Sequence, residues 1–272
     1  MKISNIYSFN QACRRPDGSI HGLEDGKQCR KGLPIVLSEK RIEKLRRIAQ
    51  SLVDNFPELT NKSKVSDFAE GKTNLLPQEV VYRIRNFNKK PSFVKNEVEL
   101  ERSDNVLKRE DGSSVVMYRG SPKFIEPLKN SRLHGVGRGI YGAGTYAAAV
   151  GLTPNYDSKL ARQTAISYSK DDESEPFNPK NLISFGLDKS ANIETIPEGL
   201  TFNQWRVQTV EKVRRETGLE INDIGVAAAI LGIDAYRIPG TVGGKSDPED
   251  MREDYWVILN RGSMIIAEDI GS

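Results

Sequence analysis

Two stretches of the chain carry residue types that can hold a ligand: Met117-Tyr118-Arg119-Gly120-Ser121-Pro122 and Gly139-Ile140-Tyr141-Gly142-Ala143-Gly144-Thr145-Tyr146-Ala147-Ala148-Ala149. Val115 to Tyr118 is a short apolar run that reads as a strand and delivers one arginine and one glycine to its exit. The glycine-dense segment supplies backbone that a flat or anionic group can approach closely, because no side chain stands in the way. Together they read as two walls of one cleft. Taken singly, each has an ordinary reading: a surface salt bridge for Arg119, a core tyrosine for Tyr146.

Gly137-Arg138-Gly139-Ile140-Tyr141-Gly142 also fits the spacing Gly-x-Gly-x-x-Gly of a dinucleotide fingerprint. That fingerprint follows a strand and opens a helix. Here the segment follows Ser131-Arg132-Leu133-His134-Gly135 and runs into Thr145-Tyr146-Ala147, with Gly151 and Pro154 interrupting any helix soon after. No Gly-Lys-Ser/Thr ending makes it a phosphate-binding P-loop. A wall of the cleft is the reading kept, with a purely structural glycine-rich turn as the bland one.

The elements that must position these stretches can be read from periodicity. Ile42, Leu45, Ile48, Ala49, Leu52, Val53 and Phe56 form one helical stripe, capped by Ser38, stapled by Leu37 and Ile42, and stopped by Pro57. Its other face carries Lys40, Arg41, Lys44, Arg46 and Arg47, expected to be solvated. A second helix is expected from Pro77 to Phe87, with a loop between the two. Further helices are expected over Asp157 to Ser169, over Phe202 to Thr217 with a Thr201/Gln204 capping box and Gly218 at its end, and from an Asn222 cap to Leu231, ended by Gly232. Strands are expected at Leu182 to Leu187, Ile233 to Ile238, Tyr255 to Leu259 and Met264 to Ala267, and Trp205 is expected in the core. Strands interleaved with helices, yet joined in places by links too short for crossovers, predict a mixed α+β fold.

The chain of 272 residues, 37% hydrophobic and 28% charged, is long enough for one sizeable core with an appendage. The expected division is a basic turn-rich arm over 1–35, a helical N-terminal region over 36–102, and a main domain over 103–272. A formal net charge of +3 is too small to argue for nucleic acid by itself. No long apolar run and no signal-peptide pattern is present, so the expectation is a soluble cytoplasmic protein without a membrane partner. Cys13 and Cys29 are the two cysteines, which suits a reducing compartment. With His21 they offer metal-ligand chemistry, but their spacing matches no zinc module and a fourth ligand is missing; no metal is expected. Arg14, Arg15, Lys27, Arg30 and Lys31 make this a loosely packed basic arm that could meet an anionic partner.

Tyr118-Arg119-Gly120 resembles the arginine-bearing first motif of the toxin-type ADP-ribosyltransferases, and Gly142-Ala143-Gly144-Thr145-Tyr146-Ala147 resembles the Gly-x-Gly-x-Tyr-Phe-Ala segment of the poly-ADP-ribose polymerase type. The resemblance covers roughly residues 105 to 272 and implies an ADP-ribosyltransferase-like mixed sheet that uses NAD as substrate. Such a site must hold the nicotinamide, fix the ribose or phosphates, and place a carboxylate near the oxocarbenium ion that forms. The resemblance assigns Arg119 to the ribose or a phosphate, the Gly120 backbone to the nicotinamide amide, and Tyr146 to stacking on the nicotinamide ring. It places Gly144 and Thr145 in the same wall.

Glu253-Asp254-Tyr255-Trp256-Val257-Ile258-Leu259-Asn260-Arg261-Gly262-Ser263 resembles the last toxin-type motif, Glu-x-Glu before a hydrophobic strand and Pro-Arg-Gly-Ser. Aligned on Arg261-Gly262-Ser263, Trp256 falls on the catalytic glutamate. Aligned on the polymerase-type pattern, Asp254 takes that position and becomes the expected carboxylate, with Glu253 and Glu268 as alternatives. Strand alternation puts Asp254 and Trp256 on one face and Glu253 and Tyr255 on the other. The loop from Gly240 to Arg252 matches in position the target-recognising loop of the toxin-like enzymes. The implied function is transfer of ADP-ribose from NAD to a macromolecule, protein or nucleic acid. NAD hydrolysis is the alternative on the same site, and a non-catalytic module the alternative in another class, since similar domains accompany phage structural proteins; these would be virion-associated or delivered into a host cell.

Overall fold

The computed structural model describes residues 12–14, 20–22, 39–57, 59, 61–85, 87, 89–121, 137–139, 141–149, 158–170, 172, 174, 176–239 and 254–269. The fold is α+β, as its interleaved strands and helices predict. The chain divides into two compact units, one rich in helix and one built on a sheet.

The helical unit contains helices α1 (Glu39–Asn55), α2 (Lys62–Ala69) and α3 (Gln78–Arg85), together with Arg206–Gly232. Leu45, Ala49 and Leu52 of the α1 stripe are buried, as their spacing requires. The loop expected between the first two helices is a correction: it holds α2, anchored by buried Val65 and Phe68 three residues apart on one face. The cap expected at Asn222 belongs to Asp223, whose carboxylate accepts from the Val226 N–H and opens helix α7 (Ile224–Ile230). The helix before it, α6 (Phe202–Thr217), carries the Thr201/Gln204 capping box, with the Gln204 N–H donating to Thr201 Oγ1 at 3.2 Å and the Thr201 N–H donating to Gln204 Oε1 at 2.9 Å. The division between units falls within α6, after a buried Trp205.

The described part of the basic arm is a short hairpin of β1 (Ala12–Arg14) and β2 (Ile20–Gly22), in which Cys13 stands opposite His21. Cys29 lies outside the described residues.

The sheet unit contains β3 (Ser92–Asn96), α4 (Glu97–Arg102), β4 (Met117–Gly120), β5 (Gly137–Gly139), β6 (Gly142–Ala149), α5 (Ser158–Ser167), β7 (Leu182–Leu187), β8 (Ile193–Thr195), β9 (Ala235–Ile238), β10 (Asp254–Ile258) and β11 (Met264–Asp269). Their order is β3-β11-β7-β4-β6-β10-β9-β8, with β5 paired to β6 outside that path. The β3/β11 and β8/β9 pairs are parallel and the others antiparallel, so the sheet is mixed. The sheet unit takes up the chain at Phe87, and β3 and α4, which precede the expected main domain at 103, belong to it. Both were missed in a stretch dominated by charge and by Pro91.

Every residue of β7 is buried, as a strand covered on both faces must be. One face of the sheet, here the front, is built from Met117, Ala147, Ile183, Phe185, Trp256, Ile258 and Ile266. The back is built from Tyr118, Ala148, Leu182 and Ile265, covered by Leu100 of α4 and by Ala161 and Ala165 of α5. Period-two alternation then assigns every other strand residue to a face.

Candidate functional site

The glycine-dense segment folds as a hairpin. Gly137, Arg138 and Gly139 pair with Gly144, Ala143 and Gly142, and the chain continues along β6 into the centre of the sheet. A dinucleotide fingerprint would open a helix; this segment runs from strand to strand.

Strands β4 and β6 pair at two positions, Met117 with Ala149 and Tyr118 with Ala148. Beyond them β4 keeps its pairing with β7 as far as Gly120 opposite Leu182, while its contact with β6 ends, so a fork opens between β4 and β6. Arg119 stands at this fork on the front face. Its Nη1 donates to the Tyr146 carbonyl at 2.9 Å. Its Nε is shut off from solvent and has no partner among the described residues. Burial lowers the guanidinium to about 10, so it remains a cation at neutral pH. A half-buried cation with no carboxylate against it among the described residues is costly, and its charge is available to an anion that enters the fork.

Gly120 answers to packing from behind. A Cβ there would lie 1.7 Å from the Ala165 carbonyl oxygen of α5, so the helix backbone rests directly on the strand. Gly120→Ala is expected to cost at least about 2 kcal/mol, because backbone rather than a flexible side chain must move; a fall in the denaturant midpoint at unchanged slope checks it. At Gly144 the Val257 Cγ1 would lie 2.2 Å from an added Cβ, so β10 occupies that space. Thr145 is buried on the front face opposite Ile258.

Behind Arg119, the Tyr118 hydroxyl donates to Glu97 on α4. Burial, followed by that hydrogen bond to a carboxylate, pushes the Tyr118 hydroxyl far above its usual range. The strand that presents Arg119 is thereby fastened on its other face.

Tyr146 is half-buried and belongs to the back face by alternation, with Gly144 and Ala148. Its hydroxyl donates to the Gly142 carbonyl at 2.6 Å and accepts from the Tyr141 N–H at 3.0 Å, closing the hairpin turn. Its ring stacks on Tyr141, with centroids 6.3 Å apart. Tyr141 in turn meets Tyr255 and Phe202, and its carbonyl accepts from the Tyr236 hydroxyl.

Asp254 opens β10 on the front face, opposite Ala149, with 1% of its side chain exposed. Arg237 of β9, which stands opposite Trp256, donates to it through Nε at 2.5 Å. Arg119 and Asp254 therefore share the front face, two strands apart. The Tyr146 ring lies on the other face, so of the three residues expected together two share a face and one does not. Glu268 is exposed near the end of β11. Glu253 and the loop 240–252 lie outside the described residues.

Arg237 was missed by sequence reasoning. Its signal is a basic residue inside the strand expected over Ile233 to Ile238, which calls for an acidic partner.

No protein-family model matches the chain, and no curated protein and no solved structure matches it. What defines the molecule is thus its own geometry: a mixed sheet with a forked centre, a cation in the fork and a buried carboxylate on the same face. No helix among the described residues is long and apolar enough to cross a membrane.

Proposed function

We propose that this chain transfers ADP-ribose from NAD to a macromolecular acceptor, with the front face around the fork as its NAD-binding surface. The observation that carries the reading is Arg119, a half-buried cation with its Nε shut off from solvent and no carboxylate against it among the described residues, beside a glycine-built hairpin. In the reaction the bond between ribose C1′ and the nicotinamide nitrogen breaks and its electron pair leaves with nicotinamide. A nucleophilic atom of the acceptor bonds to C1′ and loses its proton to solvent. Arg119 holds a phosphate or ribose oxygen, and Asp254 sets negative charge against the oxocarbenium ion.

A second reading has one observation in its favour. Arg237 already neutralises Asp254, and an indole stands at Trp256 where the toxin-type pattern has its glutamate. On that reading the fork binds NAD without turning it over.

Incubating the protein and Asp254→Asn with NAD labelled in its adenosine half, in a cell lysate, separates the outcomes. Label transfer and nicotinamide release by the wild type, both lost in the variant, are expected. Release without transfer marks a hydrolase, binding without release supports the second reading, and failure to bind NAD overturns both.

A further inference from the structure

Arg119 Nε has a counterpart on the same face. Trp256 is fully buried, and its indole Nε1 also lacks a hydrogen-bond partner among the described residues. A buried donor left without an acceptor costs about 1–3 kcal/mol, so one such N–H in a well-packed sheet calls for an explanation and two on one face call for a common one.

Strand register sets the two donors against each other. Trp256 pairs with Ala147. Tyr118 pairs with Ala148, which brings Arg119, the next residue of β4, to the level of Ala147 from the opposite side. Arg119 and Trp256 thus stand on the front face at the level of Ala147, on the two strands that flank β6. Arg119 already leans over β6, since its Nη1 is bonded to Tyr146, the residue before Ala147. Ala147, whose side chain is a single methyl group, stands between Arg119 and Trp256 on β6.

We infer that Trp256 is a ligand-binding residue, and that its indole N–H and the Arg119 guanidinium together take one anionic oxygen seated over Ala147. This rests on the proposed function in one respect: the anionic oxygen is assigned to the diphosphate of the dinucleotide. Indole donates a single hydrogen bond and carries no charge, so Trp256 supplies direction while Arg119 supplies attraction. A phenylalanine in its place keeps the ring and loses the donor.

The chain has two tryptophans, so 15N-indole labelling gives two side-chain N–H signals, and the one missing in Trp256→Phe is that of Trp256. Inorganic pyrophosphate and ADP-ribose are titrated separately into the wild type and Arg119→Met. The Trp256 signal is expected to move with both probes in the wild type and with neither in Arg119→Met. Trp256→Phe is expected to bind ADP-ribose about tenfold more weakly, the worth of one hydrogen bond to a charged group. A Trp256 signal that stays fixed while ADP-ribose binds through Arg119 overturns the inference and leaves the NAD reading standing. A signal that moves with pyrophosphate while ADP-ribose fails to bind keeps the donor pair and removes NAD. If neither probe binds, the inference is overturned.

Discussion

Arg119→Met is expected to lower NAD turnover by at least about a hundredfold while leaving thermal stability unchanged or higher. The two halves of this result have separate causes. Removing a cation aimed at a charged substrate takes away a charge-assisted contact, and losses of about 3 kcal/mol are usual when such a group serves the transition state. Stability moves the other way. Burial lowers the Arg119 pKa to about 10, so folding works against its charged form at every pH below 10, and that cost fades as pH rises from 10 towards the ordinary guanidinium range. Methionine keeps most of the stem's volume and removes the cost at neutral pH. It also gives up the bond to the Tyr146 carbonyl, worth about 1–2 kcal/mol, which offsets part of the gain. Melting curves and nicotinamide release on the same preparations check this. A melting temperature that falls in step with activity would mean that Arg119 is a structural residue, and the fork would lose its claim to NAD.

Arg237→Met is expected to lower stability by about 3–5 kcal/mol, the largest structural effect of any single change at this site. The Asp254 side chain is 1% exposed and its carboxylate is held by Arg237 at 2.5 Å; without Arg237 that buried carboxylate loses its ion pair. The double variant Arg237→Met/Asp254→Leu is expected to recover most of the loss, since replacing a buried pair by apolar groups is often neutral. Urea unfolding of the three proteins measures this. A single-variant cost below about 1 kcal/mol would show that the pair does not hold Asp254 in place. The pair ties β9 to β10 on the face that carries Arg119, so it also fixes where the carboxylate points.

Much of the local structure was legible in the residues. Leu182 to Leu187 is an unbroken apolar run of strand length, and it is a strand over those residues. Thr201 and Gln204 announce the start of α6, and Gly218 its end. The misses share a cause. Lys62–Ala69 and Glu97–Arg102 are short and charged, and each is held by one or two buried side chains, Val65 and Phe68 or Leu100, too few to set up a period. Ser92–Asn96 is a strand because β11 lies beside it, which nothing in Ser-Phe-Val-Lys-Asn reveals.

By itself the sequence determined which residues could act: an arginine at a strand exit, glycines that leave backbone open, a tyrosine after them, and a carboxylate before the last hairpin. It also determined that Asp254 and Trp256 share a face, because alternation along one strand is local. The relation between strands was decided by the tertiary structure. Pairing across the sheet put Arg119 on the face of Asp254 and turned Tyr146 to the other, gave Asp254 its Arg237, and laid the Ala165 carbonyl on Gly120. Register and strand order depend on contacts between residues far apart in the chain, whose energies are settled only when the whole sheet forms.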